Sequence, residues 1–213
     1  MKSGFYKVFH GVFRKPFMWL LRVHVHGAEN EPEASEGPYI ICGNHTVFSD
    51  PIFLCAATNR QQPHFMAKKE LFRIPLLNWL IKGLGAFPVD RKGGDVSAIK
   101  KSIALLKEGK CVGIFPQGHR YVGVNPRQTE IRHGIGMIAS RTHARVLPCY
   151  LCMKDYKYKL GHRVDIIIGK PMSYEEYASQ QTGTAEYTEI TQKIYDRICS
   201  LGEEFLAKEK GEA

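Results

Sequence analysis

The 213-residue chain has no run of about 18 consecutive uncharged apolar residues, so no segment reads as a bilayer-spanning helix. It has no Gly- or Ser-rich linker, no internal repeat and no low-complexity tract, which argues for one folded domain. With 44% apolar residues the chain is not intrinsically disordered. A single C-x-x-C, Cys149 and Cys152, lacks the second pair that a zinc ribbon needs. His24-Val-His26 likewise lacks further ligands, so no metal site is expected. Cys42, Cys55, Cys111 and Cys149 lie inside apolar runs and are expected to be reduced thiols packed as small hydrophobes, as in a cytosolic protein.

Cations are in excess. The formal net charge is +9, and the surplus is uneven: residues 1 to 163 carry 25 basic against 11 acidic side chains, and residues 164 to 213 carry 5 against 10. An anionic partner for the first three quarters is implied, and nucleic acid, lipid phosphate or a small phosphorylated substrate would each serve. The basic residues are scattered and form no recognition motif, so no nucleic-acid partner is expected.

Residues 1–22 mix Phe5, Phe9, Phe13, Phe17 and Trp19 with Lys2, Lys7, Arg14, Lys15 and Arg22. They lack the uninterrupted apolar centre and small-residue cleavage site of a signal peptide. The expectation is an amphipathic membrane-interface segment on an anionic surface, preceding a domain of residues 23–213; the plainer alternative is a terminal helix packed on its own domain. Pro16 is expected to divide the segment into two short helices.

Along the rest of the chain, strands are predicted at Val23–His26, Pro38–Gly43, His64–Ala67, Ala86–Val89, Cys111–Phe115, Arg145–Met153 and Arg163–Ile168. Helices are predicted near Ile52–Asn59, Leu71–Leu84, Val96–Glu108 and Gly134–Arg141, with a long C-terminal helix striped by Ile190, Ile194, Ile198 and Leu201. Glu29–Pro38 reads as an acidic loop. Strands alternating with helices indicate an α/β domain with a largely parallel mixed sheet flanked by helices. Gly134-Ile-Gly136-Met-Ile-Ala139 has the spacing of a dinucleotide fingerprint, but no buried strand leads into it.

Four blocks carry chemistry. In Gly43-Asn44-His45-Thr46-Val47-Phe48-Ser49-Asp50-Pro51, five residues of ideal helix would turn His45 and Asp50 apart, so they meet only across a loop. Pro51 makes Asp50 a natural N-cap with His45 on the preceding loop. Asp50 would then accept a hydrogen bond from one imidazole N–H and leave the other nitrogen as a general base; the plain alternative is a helix cap beside an incidental histidine. Gly85-Ala-Phe-Pro-Val-Asp90-Arg91-Lys92 ends a strand in cations suited to a phosphate, or to a solvated turn. Phe115-Pro-Gln117-Gly118-His119-Arg120 is an anion-binding loop or an ordinary turn. Val146-Leu-Pro148-Cys-Tyr150 holds a proline that belongs at a sheet edge, a strand start or a bulge.

Together, in this order, the blocks resemble the NHxxxxD, aromatic-proline-x-x-Arg, FPEGTRS-like and V-x-P segments of the glycerolipid acyltransferase family, the 1-acylglycerol-3-phosphate acyltransferases in particular, over residues 23–172. The resemblance implies acyl transfer from a thioester, on coenzyme A or acyl carrier protein, to a lysophospholipid hydroxyl at the cytoplasmic face of a membrane, with no further cofactor. It implies His45 as general base assisted by Asp50, with no covalent acyl-enzyme, and Lys68, Arg91 and Arg120 on the acceptor phosphate. Gln117 and Gly118 would position the glycerol or the developing oxyanion, and Pro148 would shape a substrate channel. Gln117 and His119 stand where the family has Glu and Thr or Ser, and an amide donates as well as accepts, so a different lysolipid acceptor is the alternative.

Overall fold

Apolar side chains alternate between two faces along the central strands, and each face builds its own core. The computed structural model describes residues 2–89 and 96–211. Its elements are α1 (Gly4–Val8), a π-helical turn (Phe9–Phe13), α2 (Arg14–Leu20), β1 (Val23–His26), β2 (Tyr39–Gly43), α3 (Asp50–Ala57), β3 (Pro63–Lys68), α4 (Pro75–Gly83), β4 (Phe87–Val89), α5 (Val96–Lys107), β5 (Cys111–Ile114), α6 (Gly134–Thr142), β6 (Arg145–Met153), β7 (Val164–Ile168), α7 (Tyr174–Tyr177) and α8 (Gly183–Glu209). Every strand and long helix predicted from hydrophobic patterning is present within a few residues. Among the described residues no helix is long and apolar enough to cross a membrane, and all six cysteines are free thiols.

The seven strands form one sheet in the order β1-β7-β6-β2-β5-β3-β4. All neighbouring pairs are parallel except β6 and β7, so β1 and β7 run against the other five. On one face Ile40, Val112, Val146 and Ile167 pack beneath α5, α6 and α8; on the other Tyr39, Ile41, Leu147 and Ile166 pack with α3 and the N-terminal segment. Ile190, Ile194 and Ile198 of α8 are fully buried, each contributing about 1.5–3 kcal/mol from apolar transfer. Gly136 explains the fingerprint-like spacing without a nucleotide. A Cβ there would lie 2.0 Å from the Tyr187 carbonyl oxygen, so the glycine permits α6 to cross α8 closely.

The N-terminal segment departs from the sequence expectations at Pro16 and at Arg14. The segment does form two short α-helices, α1 and α2, but they do not part at Pro16: a π turn, closed by the Arg14 N–H donating to the Phe9 carbonyl, joins them ahead of it, and Pro16 falls in the first turn of α2. The run packs on the domain through Tyr6 and Phe9, both buried. Arg14, expected at a membrane surface, turns inward instead, its Nε donating to the Ala56 carbonyl at 2.6 Å. With His10 Nε2 on the Cys55 carbonyl at 2.8 Å, it satisfies the carbonyl end of α3, where cations are favoured.

Glu31 lies in the acidic loop, yet its side chain is buried. It is 3% exposed and accepts from the Tyr39 hydroxyl and the backbone amides of Asn59, Arg60 and Gln61. Of the placements expected for Pro148, the bulge is the one found: it lies at the middle of an interior strand, opposite Cys42 of β2. Val146 opposes Met172 and Cys149 opposes Ile168, so two residues of β6 face three of the neighbouring segment. The missing proline N–H points toward this bulged side, where no ladder bond is lost.

Candidate active site

Five parallel strands place their carboxyl ends along one edge of the sheet, and the residues after β2, β3 and β5 converge there. Beyond the end of β2, the fully buried Asn44 prolongs the pairing with β6 through its side chain: its Oδ1 accepts from the Leu151 N–H at 2.7 Å, and its Nδ2 donates to the Leu151 carbonyl at 3.1 Å. This amide fixes the start of the loop that carries His45. Its signal in the sequence is a polar amide directly after a buried apolar run.

His45 and Asp50 meet, as the loop argument requires. The Nδ1 of His45 lies 2.8 Å from Oδ2 of Asp50, which also accepts from the N–H groups of Thr46 at 2.6 Å and Val47 at 2.8 Å. The N-cap expectation is corrected by one residue: Ser49 precedes the helix and Asp50 is its first member. The carboxylate turns back to the loop amides rather than to the helix's own, because that loop closes over it. Asp50 is wholly buried. Burial pushes its carboxyl above the ordinary value, with the hydrogen bond from His45 and the two amides pulling the other way. An Nδ1–H facing this carboxylate leaves the lone pair on Nε2, which has no partner among the described residues. Phe115 stacks on the imidazole face, with centroids 4.3 Å apart, and Phe65 stacks in turn on Phe115 at 5.6 Å. Sequence reasoning missed Phe115 as part of the site, although the parallel neighbour of β2 is the natural source of such a lid.

His45, Pro51 and Met66 form a wall common to two cavities. One, of about 120 Å³, is largely apolar, lined by Val89, Ile99, Ile135 and Ile138, with Gly118 and Arg132 on its polar side. The other, of about 380 Å³, combines Lys68, His119 and Arg120 with Phe48, Ile52, Leu71 and Ile81. The Arg120 guanidinium lies 5.9 Å from the Phe48 ring centroid.

The sequence-predicted residues therefore divide. His45, Asp50, Lys68, Gly118 and Arg120 are brought together around the cavities. Gln117 is 2% exposed and its amide is engaged by protein groups at both ends, accepting from the His45 N–H and donating to Thr129. The Gly118 N–H donates to the Phe115 carbonyl, so that amide is already engaged. Pro148 lines neither His45 cavity, since its ring lies against Gly169 on the face covered by α8. Arg91 lies outside the described residues. Among the described residues no three His, Cys, Asp or Glu side chains come together as a metal site.

The chain as a whole is similar to known proteins. Residues 22–152 match a family model described as Acyltransferase. The chain is 35% identical over 159 residues to the 1-acyl-sn-glycerol-3-phosphate acyltransferase of Bacillus subtilis, covering 73% of this chain and 76% of that protein. It is 33% identical over 156 residues to the protein of the same name from Streptococcus pneumoniae, covering 72% of this chain but 56% of that protein. The crystal structure of the 1-acyl-sn-glycerophosphate (LPA) acyltransferase PlsC from Thermotoga maritima superposes with a TM-score of 0.73 at 25% identity, covering 95% of this chain and 80% of that one.

Proposed function

The chain belongs to the acyltransferase family, and from that premise we propose that it transfers a fatty acyl group from an acyl thioester to the free hydroxyl of 1-acylglycerol-3-phosphate, giving phosphatidic acid. The observation that carries this reading is the His45–Asp50 pair at 2.8 Å with Nε2 unpartnered at the junction of an apolar and a cationic cavity. His45 Nε2 takes the acceptor hydroxyl proton as that oxygen bonds to the thioester carbonyl carbon. Asp50 holds the tautomer and offsets the charge on the imidazolium. Collapse of the tetrahedral intermediate breaks the C–S bond, and the imidazolium proton passes to the departing thiolate of coenzyme A or acyl carrier protein. No covalent acyl-enzyme forms. Lys68 and Arg120, with Arg91, hold the acceptor phosphate, and the two cavities let donor and acceptor reach His45 from different sides.

The test is acyl transfer with lysophosphatidate and both thioester donors, comparing the parent protein with His45→Ala. A loss of about 10²–10⁴-fold is expected; unchanged transfer refutes the base. His119 beside Lys68 and Arg120 favours a second reading, in which the acceptor is a different lysophospholipid, and including such acceptors in the same assay separates the two. A non-catalytic lipid-binding protein is the outcome if no acceptor is acylated.

The reading extends to the cytoplasmic face of a membrane, held peripherally or monotopically. Val12, Phe13, Trp19 and Leu20 are exposed on the N-terminal run, and Ile74, Leu76 and Trp79 are exposed at and before α4. Phe5 joins the two, meeting Trp79 edge to face at 4.9 Å. Exposed Lys7, Lys15 and Arg22 among these side chains suit an anionic surface.

A further inference from the structure

The main chain of His45 is held on both sides by the loop after β5. Its N–H donates to Gln117 Oε1, and its carbonyl accepts from the Tyr121 N–H at 3.0 Å. The other end of the Gln117 amide, Nε2, donates to Thr129 Oγ1 at 2.9 Å. Thr129 Oγ1 in turn donates to the Pro126 carbonyl at 2.7 Å and lies 2.9 Å from the hydroxyl of Tyr195 on α8. Both ends of the Gln117 amide are thus taken by protein groups and the side chain is 2% exposed; it lines neither of the cavities that reach His45, though it borders a neighbouring one of about 430 Å³ with His119 and Arg132.

We propose that Gln117 is a positioning residue for the His45 base rather than a ligand of the acceptor. Its carbonyl oxygen fixes the height of the His45 backbone, and its amide nitrogen anchors that oxygen to Thr129 and, through Tyr195, to the C-terminal helix. Asp50 sets the rotation of the imidazole; Gln117 sets where the residue carrying it sits. The position calls for an acceptor oxygen toward His45, which a carboxylate also supplies, and Thr129 can turn its hydroxyl toward a carboxylate because the Pro126 carbonyl retains the Tyr195 hydroxyl at 3.0 Å. An amide in place of the family's acid therefore leaves acceptor choice unaltered.

The inference rests on the acyl-transfer reading, and its test is steady-state kinetics of Gln117→Met and Gln117→Glu with lysophosphatidate. Displacing a catalytic group by about 1 Å costs roughly 10²-fold. Gln117→Met is expected to lower kcat by about that factor with the acceptor KM within about twofold, and Gln117→Glu to restore most of kcat with unchanged acceptor preference. A raised acceptor KM at unaltered kcat, or a switch of preferred acceptor in Gln117→Glu, would overturn the proposal and make the residue a substrate ligand. Equal loss in both variants would overturn it as well. Should Gln117→Met fail to fold, Thr129→Val, which leaves Oε1 in place but removes its anchor, is expected to lower kcat at constant KM; an unchanged kcat counts against the proposal. If the parent protein acylates no acceptor, the functional reading falls by itself. Positioning is then read from the His45 imidazole NMR resonances, which should move in Gln117→Met and return in Gln117→Glu; resonances that do not move overturn it.

Discussion

The imidazole of His45 lies flat against the ring of Phe115, with centroids 4.3 Å apart and planes 17° from parallel. Two constraints therefore act on one side chain: the Asp50 carboxylate defines which nitrogen is protonated, and the aromatic face limits rotation about the bond that would break that contact. Phe65, stacked behind, keeps Phe115 in place.

Phe115→Leu keeps an apolar contact but loses the flat face. The expected result is a roughly tenfold fall in kcat from a less restrained imidazole, with a stability cost of about 1 kcal/mol. Thermal melts beside steady-state assays check it, and full activity would mean that stacking does not constrain the base.

Asp50 carries a stability cost with its function. Its carboxyl titrates above the ordinary value in the folded protein because it is buried, so the native state binds the proton more readily than the unfolded chain. At pH 7, above the unfolded value, the ionised group therefore opposes folding. Asp50→Asn is expected to melt no lower than the parent at pH 7 while losing at least about 10²-fold in acyl transfer. A markedly lower Tm would show that the carboxylate is needed for the loop itself.

His10 and His64 run the opposite way. Burial holds both imidazoles below their ordinary value, against hydrogen bonds to the Cys55 and Cys111 carbonyls that favour the charged form, and with Arg14 and Lys110 respectively adding to the depression. The unfolded chain binds these protons first, so stability is lost as pH falls through and below about 6.5. Melting curves between pH 7.5 and 5.5 are expected to show a falling Tm, and replacing both residues by Gln should flatten the slope. An equally steep slope in the double variant would assign it elsewhere.

Glu31 joins the loop before β2 to the loop after α3 through four donors. Glu31→Ala strands three backbone amides and the Tyr39 hydroxyl in a site that water reaches poorly, at about 1–3 kcal/mol for each donor left unpaired. A destabilisation of at least about 3 kcal/mol in urea unfolding is expected, with Glu31→Gln intermediate. A loss below about 1 kcal/mol would show that the amides find water.

Trp19 and Trp79, exposed by 81% and 62%, are the largest apolar surfaces on the N-terminal run and α4. Replacing both by Ser is expected to reduce co-sedimentation with vesicles containing anionic phospholipid, without lowering Tm. Equal sedimentation of parent and variant would remove the interfacial assignment.

Elements of this fold were legible where one short-range period decided them. Val112 and Ile114, or Ile190, Ile194 and Ile198, announce a buried strand and a helix face by spacing alone. The His45–Asp50 pairing was legible for a related reason, since Pro51 restricts the local backbone. Lys68 came only from the resemblance to the acyltransferases and Arg120 from its loop after a buried strand; parallel strands deliver both to one edge. Partners brought together by tertiary packing were not legible. Gln117 reads as a substrate contact until Thr129 and Tyr195 are seen beside it, Glu31 reads only as one acid of a loop until the loop after α3 folds over it, and Arg14 reads as a lipid contact until the end of α3 claims it. Pro148 was legible as an edge, a strand start or a bulge; the bulge is the one realised, and it could not be singled out because the extra residue sits on the neighbouring segment.

The pairing of β1 with β7 has a consequence for synthesis. His26 and Asp165, joined across these strands at 2.7 Å, stand 139 residues apart in the chain. When β1 leaves the ribosome its partner β7 has not yet been translated, so its edge of the sheet cannot close until nearly four fifths of the chain is made. Contacts of such span close late and slow folding. Nascent chains halted before Val164 are therefore expected to expose Val23 and its neighbours to chaperones or proteases, whereas chains extended past Ile168 should become resistant.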